Sequence, residues 1–80
     1  MVRYRVYADG SAERHERLHG MGWDRYPIEL TEEQQRKFAV LKLAAMGMPQ
    51  NVANFIEVRG VGEVHWVTRD TTIVSFYGEE

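Results

Sequence analysis

Leu30 to Pro49, LTEEQQRKFAVLKLAAMGMP, decides how the rest of the chain is read. Thr31 sits three residues ahead of Gln34, the spacing of a capping box. In that motif the Thr side chain accepts the Gln34 backbone N–H and the Gln side chain accepts the Thr31 N–H. Glu32 and Glu33 put negative charge in the first turn, where the helix dipole favours it. Gly47 supplies a left-handed stop and Pro49 forbids continuation. From Phe38 onward the residues are nearly all apolar, and only Lys42 interrupts them. Such a helix is expected to be covered on most sides, with strands wrapped around it.

Upstream, Met1 to Ala8 alternates. Val2, Tyr4 and Val6 fall on one face, with Arg3, Arg5 and Tyr7 on the other. Asp9-Gly10 then reads as a hairpin turn, both of whose central residues tolerate positive φ. Ser11 to Leu18 becomes the returning strand, charged on both faces and so expected at an edge. The competing reading, with Ser11 as N-cap and Ala12 to His19 as a two-turn helix stopped by Gly20, is the less favoured. His19 to Leu30 reads as a connection whose Met21, Trp23, Tyr26 and Ile28 pack over the helix, Trp23 as a lid on the core. Downstream, Gln50 to Asn54 is a polar linker with room for one helical turn. A three-stranded meander follows: Phe55 to Arg59, Glu63 to Thr68 and Thr71 to Tyr77. Val64 and Trp66 alternate with His65 and Val67, so apolar residues fall on both faces of the middle strand. The fold expected is α+β, a small single domain spanning 1–80. It has an antiparallel sheet of four to five strands packed on one main helix, in the order ββαβββ.

Composition narrows the function classes. With 44% hydrophobic residues, among them three Phe, two Trp and four Tyr, the 80-residue chain is expected to be ordered. It has no cysteine, so neither a disulfide framework nor a thiolate metal site reinforces so small a core. The formal charge of −2 implies no strong field of either sign. Arg3, Arg5, Arg14, Arg17 and Arg25 nevertheless concentrate in the first third. No secretory signal and no membrane-length apolar run is read, so the expected location is cytoplasmic with no membrane partner.

His15-Glu16-Arg17-Leu18-His19 matches H-E-x-x-H. On a helix, histidines at i and i+4 share a face and ligate zinc while the glutamate deprotonates bound water. The segment resembles the active-site helix of zinc-dependent metallopeptidases, and Gly22 extends the likeness toward the longer metzincin form. That resemblance implies His15 and His19 as ligands and Glu16 as general base. The third ligand of the longer form falls on Arg25, a cation. In the favoured strand reading, residues i and i+4 lie about 13 Å apart. The expectation carried forward is therefore two solvated histidines on an edge strand, with no metal and no cofactor.

Two further constellations remain. Arg3, Arg5 and Tyr7 share a strand face, and Arg14 joins them from the returning strand, cations interleaved with an aromatic as in nucleic-acid binders. Trp23, Tyr26, Trp66 and Tyr77 are large aromatics in excess of what one thin core needs, the composition of a protein interface. His65 has no serine or cysteine nucleophile beside it in sequence, and Ser11 and Ser75 stand outside any motif. The Gly60-Val61-Gly62 turn lacks the remainder of a phosphate loop. The function expected is a non-enzymatic protein-binding module that occludes a larger protein or nucleoprotein, with a homodimer as a variant. Small inhibitors of phages and mobile elements, anti-CRISPR proteins among them, act in this way, and an inhibitor of that kind is the expectation that the chain's size and lack of motifs leave, with no residue that carries it. The alternative is a nucleic-acid-binding domain using the Arg-rich N-terminal hairpin.

Overall fold

The computed structural model describes residues 1–17, 20 and 22–78, with the side chains of Gln50 and Asn51 excepted. The elements run β1 (Val2–Tyr7), β2 (Ala12–Arg17), β3 (Trp23–Ile28), α1 (Glu32–Ala45), α2 (Gln50–Ala53), β4 (Glu57–Val58), β5 (Gly62–Val67) and β6 (Thr71–Phe76). They form one antiparallel six-stranded sheet in the order β3-β2-β1-β6-β5-β4. Two three-stranded meanders are thus joined edge to edge by β1 and β6, with α1 carried between them in sequence. The α+β class agrees with expectation, but the sheet has six strands where four to five were expected. No described helix is long and apolar enough to cross a membrane.

The extra strand is β3, drawn from the segment read as a connection. Its pattern Trp23-Asp24-Arg25-Tyr26-Pro27-Ile28 puts polar residues on both faces, so alternation gave no signal. Pro27 is tolerated because β3 is an edge strand, where a missing N–H breaks no ladder on the outer side. With β3 in place, β2 is an interior strand, and the edge expected for it is occupied by β3.

The β1–β2 hairpin forms around Asp9-Gly10, with a different turn from the one expected. Gly10 alone has positive φ, at 91°, and its N–H donates to Tyr7 O at 3.0 Å. Ala8 and Asp9 are therefore the central pair of a turn closed by a left-handed glycine, a common three-residue hairpin loop. Asp9 Oδ1 accepts from the Ser11 N–H at 2.9 Å and from Ser11 Oγ at 2.6 Å. These bonds hold the Asp9 carboxyl below its usual range. They also commit Ser11 to the turn rather than to a helix cap.

Helix α1 starts as its sequence dictates. Thr31 Oγ1 accepts the Gln34 N–H at 3.1 Å, and Gln34 Oε1 accepts the Thr31 N–H at 2.9 Å. The buried Gln34 has a second role: its Nε2 donates to Tyr4 Oη at 3.3 Å, tying the helix start to the middle of β1. Lys37 Nζ donates to Tyr77 O at 2.8 Å and fixes the helix against the end of β6. After Ala45 the chain turns at Gly47, φ 80°. Only one face of α1 is covered. Leu41 and Ala45 sit in a core with Tyr4, Ala53, Val64, Val74 and Phe76, and Phe38 packs against it. The tilted rings of Tyr4 and Phe76, 5.1 Å apart, lie within it. The strands lie in a single sheet under the helix and do not wrap it, so the apolar residues of its outer face stay in the open.

Candidate functional site

The two-layer fold leaves open the outer side of α1 and α2, the sheet face turned away from the helix, and the helix-side face of β2 and β3, because α1 packs on β4, β5 and β6. Strand register decides which side chains belong to the second. Pairing of Arg3 with His15 and Arg5 with Glu13, then of His15 with Arg25 and Arg17 with Trp23, aligns these residues on the open face. Ile73, Thr71 and Ser75 continue it through β6, and Glu63 and Trp66 through β5. A bulge between Val64 and Trp66 shifts the β5–β6 register, so Val64 and Val67 pack toward the helix while Trp66 stays open. The apolar residues on both sides of β5 are explained by that bulge.

The open face brings together residues that the sequence kept in separate sets. Arg3, Arg5 and Tyr7 lie on it, as do Trp23 and Trp66. The Arg3 guanidinium lies over the Trp23 ring at 5.1 Å and that of Arg17 over the same ring at 5.9 Å, while Arg5 covers Tyr7 at 5.3 Å. Trp23 is therefore half-buried on the far side of the sheet and is no lid on the helix-side core. Trp66 is 49% exposed. Phe55, 84% exposed, lines an open depression of about 400 Å³ together with Arg3, Glu57, Glu63 and His65.

Two expected members lie elsewhere. Arg14 pairs with Tyr4 across β1–β2, so it shares the helix-side face and not that of Arg3 and Arg5. It donates to Glu16 Oε1 at 2.8 Å and to Tyr4 Oη at 2.9 Å. Tyr26, opposite Arg14, is also on the helix side, and its hydroxyl donates to Glu16. The Tyr26 and Arg14 bonds hold the Glu16 carboxyl below its usual range, Tyr26 contributing most. Tyr77 donates to Glu57 and to Glu63 Oε1, and its hydroxyl pKa is pushed up chiefly by the Glu57 bond.

The H-E-x-x-H segment does not make a helix. His15, Glu16 and Arg17 belong to β2, so alternation puts His15 and Glu16 on opposite faces. His15 is buried rather than solvated, and its Nε2 donates to Glu13 Oε1 at 3.1 Å. His19 lies outside the described residues. Among the described residues no three His, Asp or Glu side chains converge as a metal site.

One pair escaped sequence reading: His65 Nε2 lies 2.6 Å from Ser75 Oγ, ten residues away across the β5–β6 hairpin. Burial, then the charge of Arg3, holds the His65 pKa below its usual value. Glu63 Oε2 approaches the same Nε2 at 3.9 Å. A relay needs the acid on one ring nitrogen and the nucleophile on the other. Here both partners address one nitrogen, so the trio does not have the geometry of a nucleophilic triad. Ser75 Oγ also lies 3.3 Å from Val2 O, a structural tie across β1–β6.

The outer helix surface is simpler. Val40 and Leu43 lie three residues apart on α1, Met46 caps its end, Met48 follows in the connection and Val52 lies on α2. All five are exposed, Leu43 at 69% and Met46 at 64%. Between α1 and the sheet, a cavity of about 120 Å³ lined by Phe38, Ala45, Val6 and Val67 is below the size of a small-molecule site. Comparison with family models, curated proteins and solved structures finds no match to this chain, so its own residues alone bear on its function.

Proposed function

We propose that this chain is a non-enzymatic protein-binding module that docks on a larger protein through the outer face of α1 and α2 and acts by occluding the surface it covers. The observation behind this reading is the run of exposed Val40, Leu43, Met46, Met48 and Val52 on one side of a small two-layer domain. Large apolar side chains left exposed in number on one side of a small domain are the composition of a partner site. Each such side chain gains about 1.5–3 kcal/mol when fully buried. The two methionines suit a contact that has to conform to its partner. Around the patch, Arg36 and Lys42 supply a polar rim of the kind found at docking surfaces.

The test is capture by the tagged chain from lysate of its native host after nuclease digestion, wild type against Leu43→Lys/Met46→Lys. Both substitutions are at exposed positions and should leave stability within about 0.5 kcal/mol of wild type. A stoichiometric protein retained by the wild type and lost by the folded variant supports the reading. Equal retention by both removes the helix face from the contact. A light-scattering mass of two chains for the wild type and one for the variant would replace the larger protein with a second copy.

A further inference from the structure

The open sheet face carries chemistry that the helix surface does not. Arg3, Arg5, Arg17 and Arg25 lie together on it, and among the described residues none of the four makes an ion pair. Of the acids of the same meander, Glu16 and Asp24 pair with each other on the opposite face. Glu16 is held by Arg14 and Tyr26 on the far side of the sheet. Glu13, the one carboxylate of β1–β3 on the open face, accepts from His15 and Tyr7. Farther across, Glu57 and Glu63 both accept from Tyr77. The Nε atoms of Arg3 and Arg5 are buried and have no hydrogen-bond partner among the described residues. A guanidinium N–H buried without an acceptor carries a desolvation cost. The chain is acidic overall, yet this half of one face is locally cationic.

The same surface offers planar groups. The guanidinium groups of Arg3 and Arg17 lie over Trp23 and that of Arg5 over Tyr7, while Phe55 and Trp66 stand exposed on the other half. Unpaired bases stack on aromatic rings and on guanidinium planes alike. Trp23 on β3 and Trp66 on β5 are four strand spacings apart, about 19 Å at the usual inter-strand distance. The arginines of β1 lie between them.

We propose that the open sheet face binds single-stranded nucleic acid, its phosphates taken by Arg3, Arg5, Arg17 and Arg25 and its bases stacked toward Trp66 and Phe55. A duplex hides its base faces and satisfies only the cationic part of this surface. This site is separate from the α1–α2 docking face and does not rest on it.

The test is fluorescence anisotropy of a labelled 12-mer oligothymidylate with the full chain, titrated between 50 and 200 mM NaCl. Four phosphate contacts on a single strand give a slope of log K on log salt of about −3, or roughly a 50-fold loss over that range. Arg17→Glu/Arg25→Glu, both at exposed positions, should weaken binding at least tenfold and flatten the slope. Trp66→Ala should weaken it with the slope retained, the mark of lost stacking. Arg36→Glu, on α1, and Leu43→Lys/Met46→Lys should bind as wild type. Absence of binding at 50 mM NaCl would overturn the proposal, as would equal loss in the Arg36→Glu control. Displacement by a duplex as efficient as by the single strand would refute the single-strand assignment. Equal displacement by polyglutamate would reassign the face to an acidic protein segment.

Discussion

Gly62→Ala tests the strand register on which both surfaces depend. Gly62 opens β5 and pairs with Phe76 of β6 and with Val58 of β4. A Cβ built there would lie 2.0 Å from the Ser75 carbonyl oxygen and 3.1 Å from its carbon. The obstacle is backbone, so no side-chain rotation relieves it, and β5 must part from β6 by about 1 Å before the contact becomes tolerable. Overpacking of this kind costs about 1–3 kcal/mol. The displaced ladder hydrogen bond adds about 1 kcal/mol. Against this, Gly→Ala lowers unfolded-state entropy by about 0.4–1 kcal/mol. The net expectation is a loss of about 2–3 kcal/mol, a large part of the roughly 4–12 kcal/mol available to a chain of this length. Equilibrium urea unfolding followed by tryptophan fluorescence measures it, and thermal melting should show a drop of about 15 °C. The matched control is Gly22→Ala, where nothing lies within 4 Å and φ is unrestricted. If Gly62→Ala melts within about 2 °C of that control, the β5–β6 approach described above is wrong.

Three further outcomes follow from named contacts. Thr31→Ala removes the oxygen that accepts the Gln34 N–H and should cost about 1 kcal/mol in chemical unfolding. Leu41→Ala empties a fully buried site at the centre of the core and should cost about 3 kcal/mol, read the same way. Burial lowers the folded pKa of His65, so the unfolded chain takes up this proton first. Its contribution to stability is complete above pH 6.5 and is lost as pH falls from there toward the depressed folded value. Unfolding free energies measured between pH 7.5 and 5 should decline less for His65→Gln than for wild type. The depressed carboxylates of Glu13 and Glu16, held chiefly by His15 and Tyr26 respectively, act in the same direction at lower pH, below their ordinary value of 4.5.

What could be read without a structure was local chemistry. The α1 start was legible because Thr31 and Gln34 satisfy each other three residues apart. Its stop was legible because Gly47 and Pro49 act on their own backbone. Asp9-Gly10 announced a hairpin, and alternation separated Tyr4 and Val6 from Arg3, Arg5 and Tyr7. The third strand was not legible, because Pro27 and two charged residues erase its alternation and only pairing with β2 reveals it. The coverage of α1 is not legible for a related reason: an apolar run records that water is disfavoured, and the same run serves a core or a partner. The face of Arg14 is not legible because it depends on a hairpin loop one residue longer than Asp9-Gly10 alone implies. The meeting of His65 with Ser75 depends on a β-bulge, for which the residues carry no local signal.

The central position of β1 and β6 bears on how the chain reaches this structure. Tyr4 pairs with Val74, about 70 residues away in sequence, and the two strands form the seam of the sheet. Closing a loop of that length costs about 4 kcal/mol of chain entropy before the seam returns anything. Neither meander has α1 and its own inner face fully matched until the seam forms, since the core mixes Tyr4 from one half with Val74 and Phe76 from the other. Folding is therefore expected to be slow for a chain of this size and concerted, with the two halves gaining protection from hydrogen exchange together.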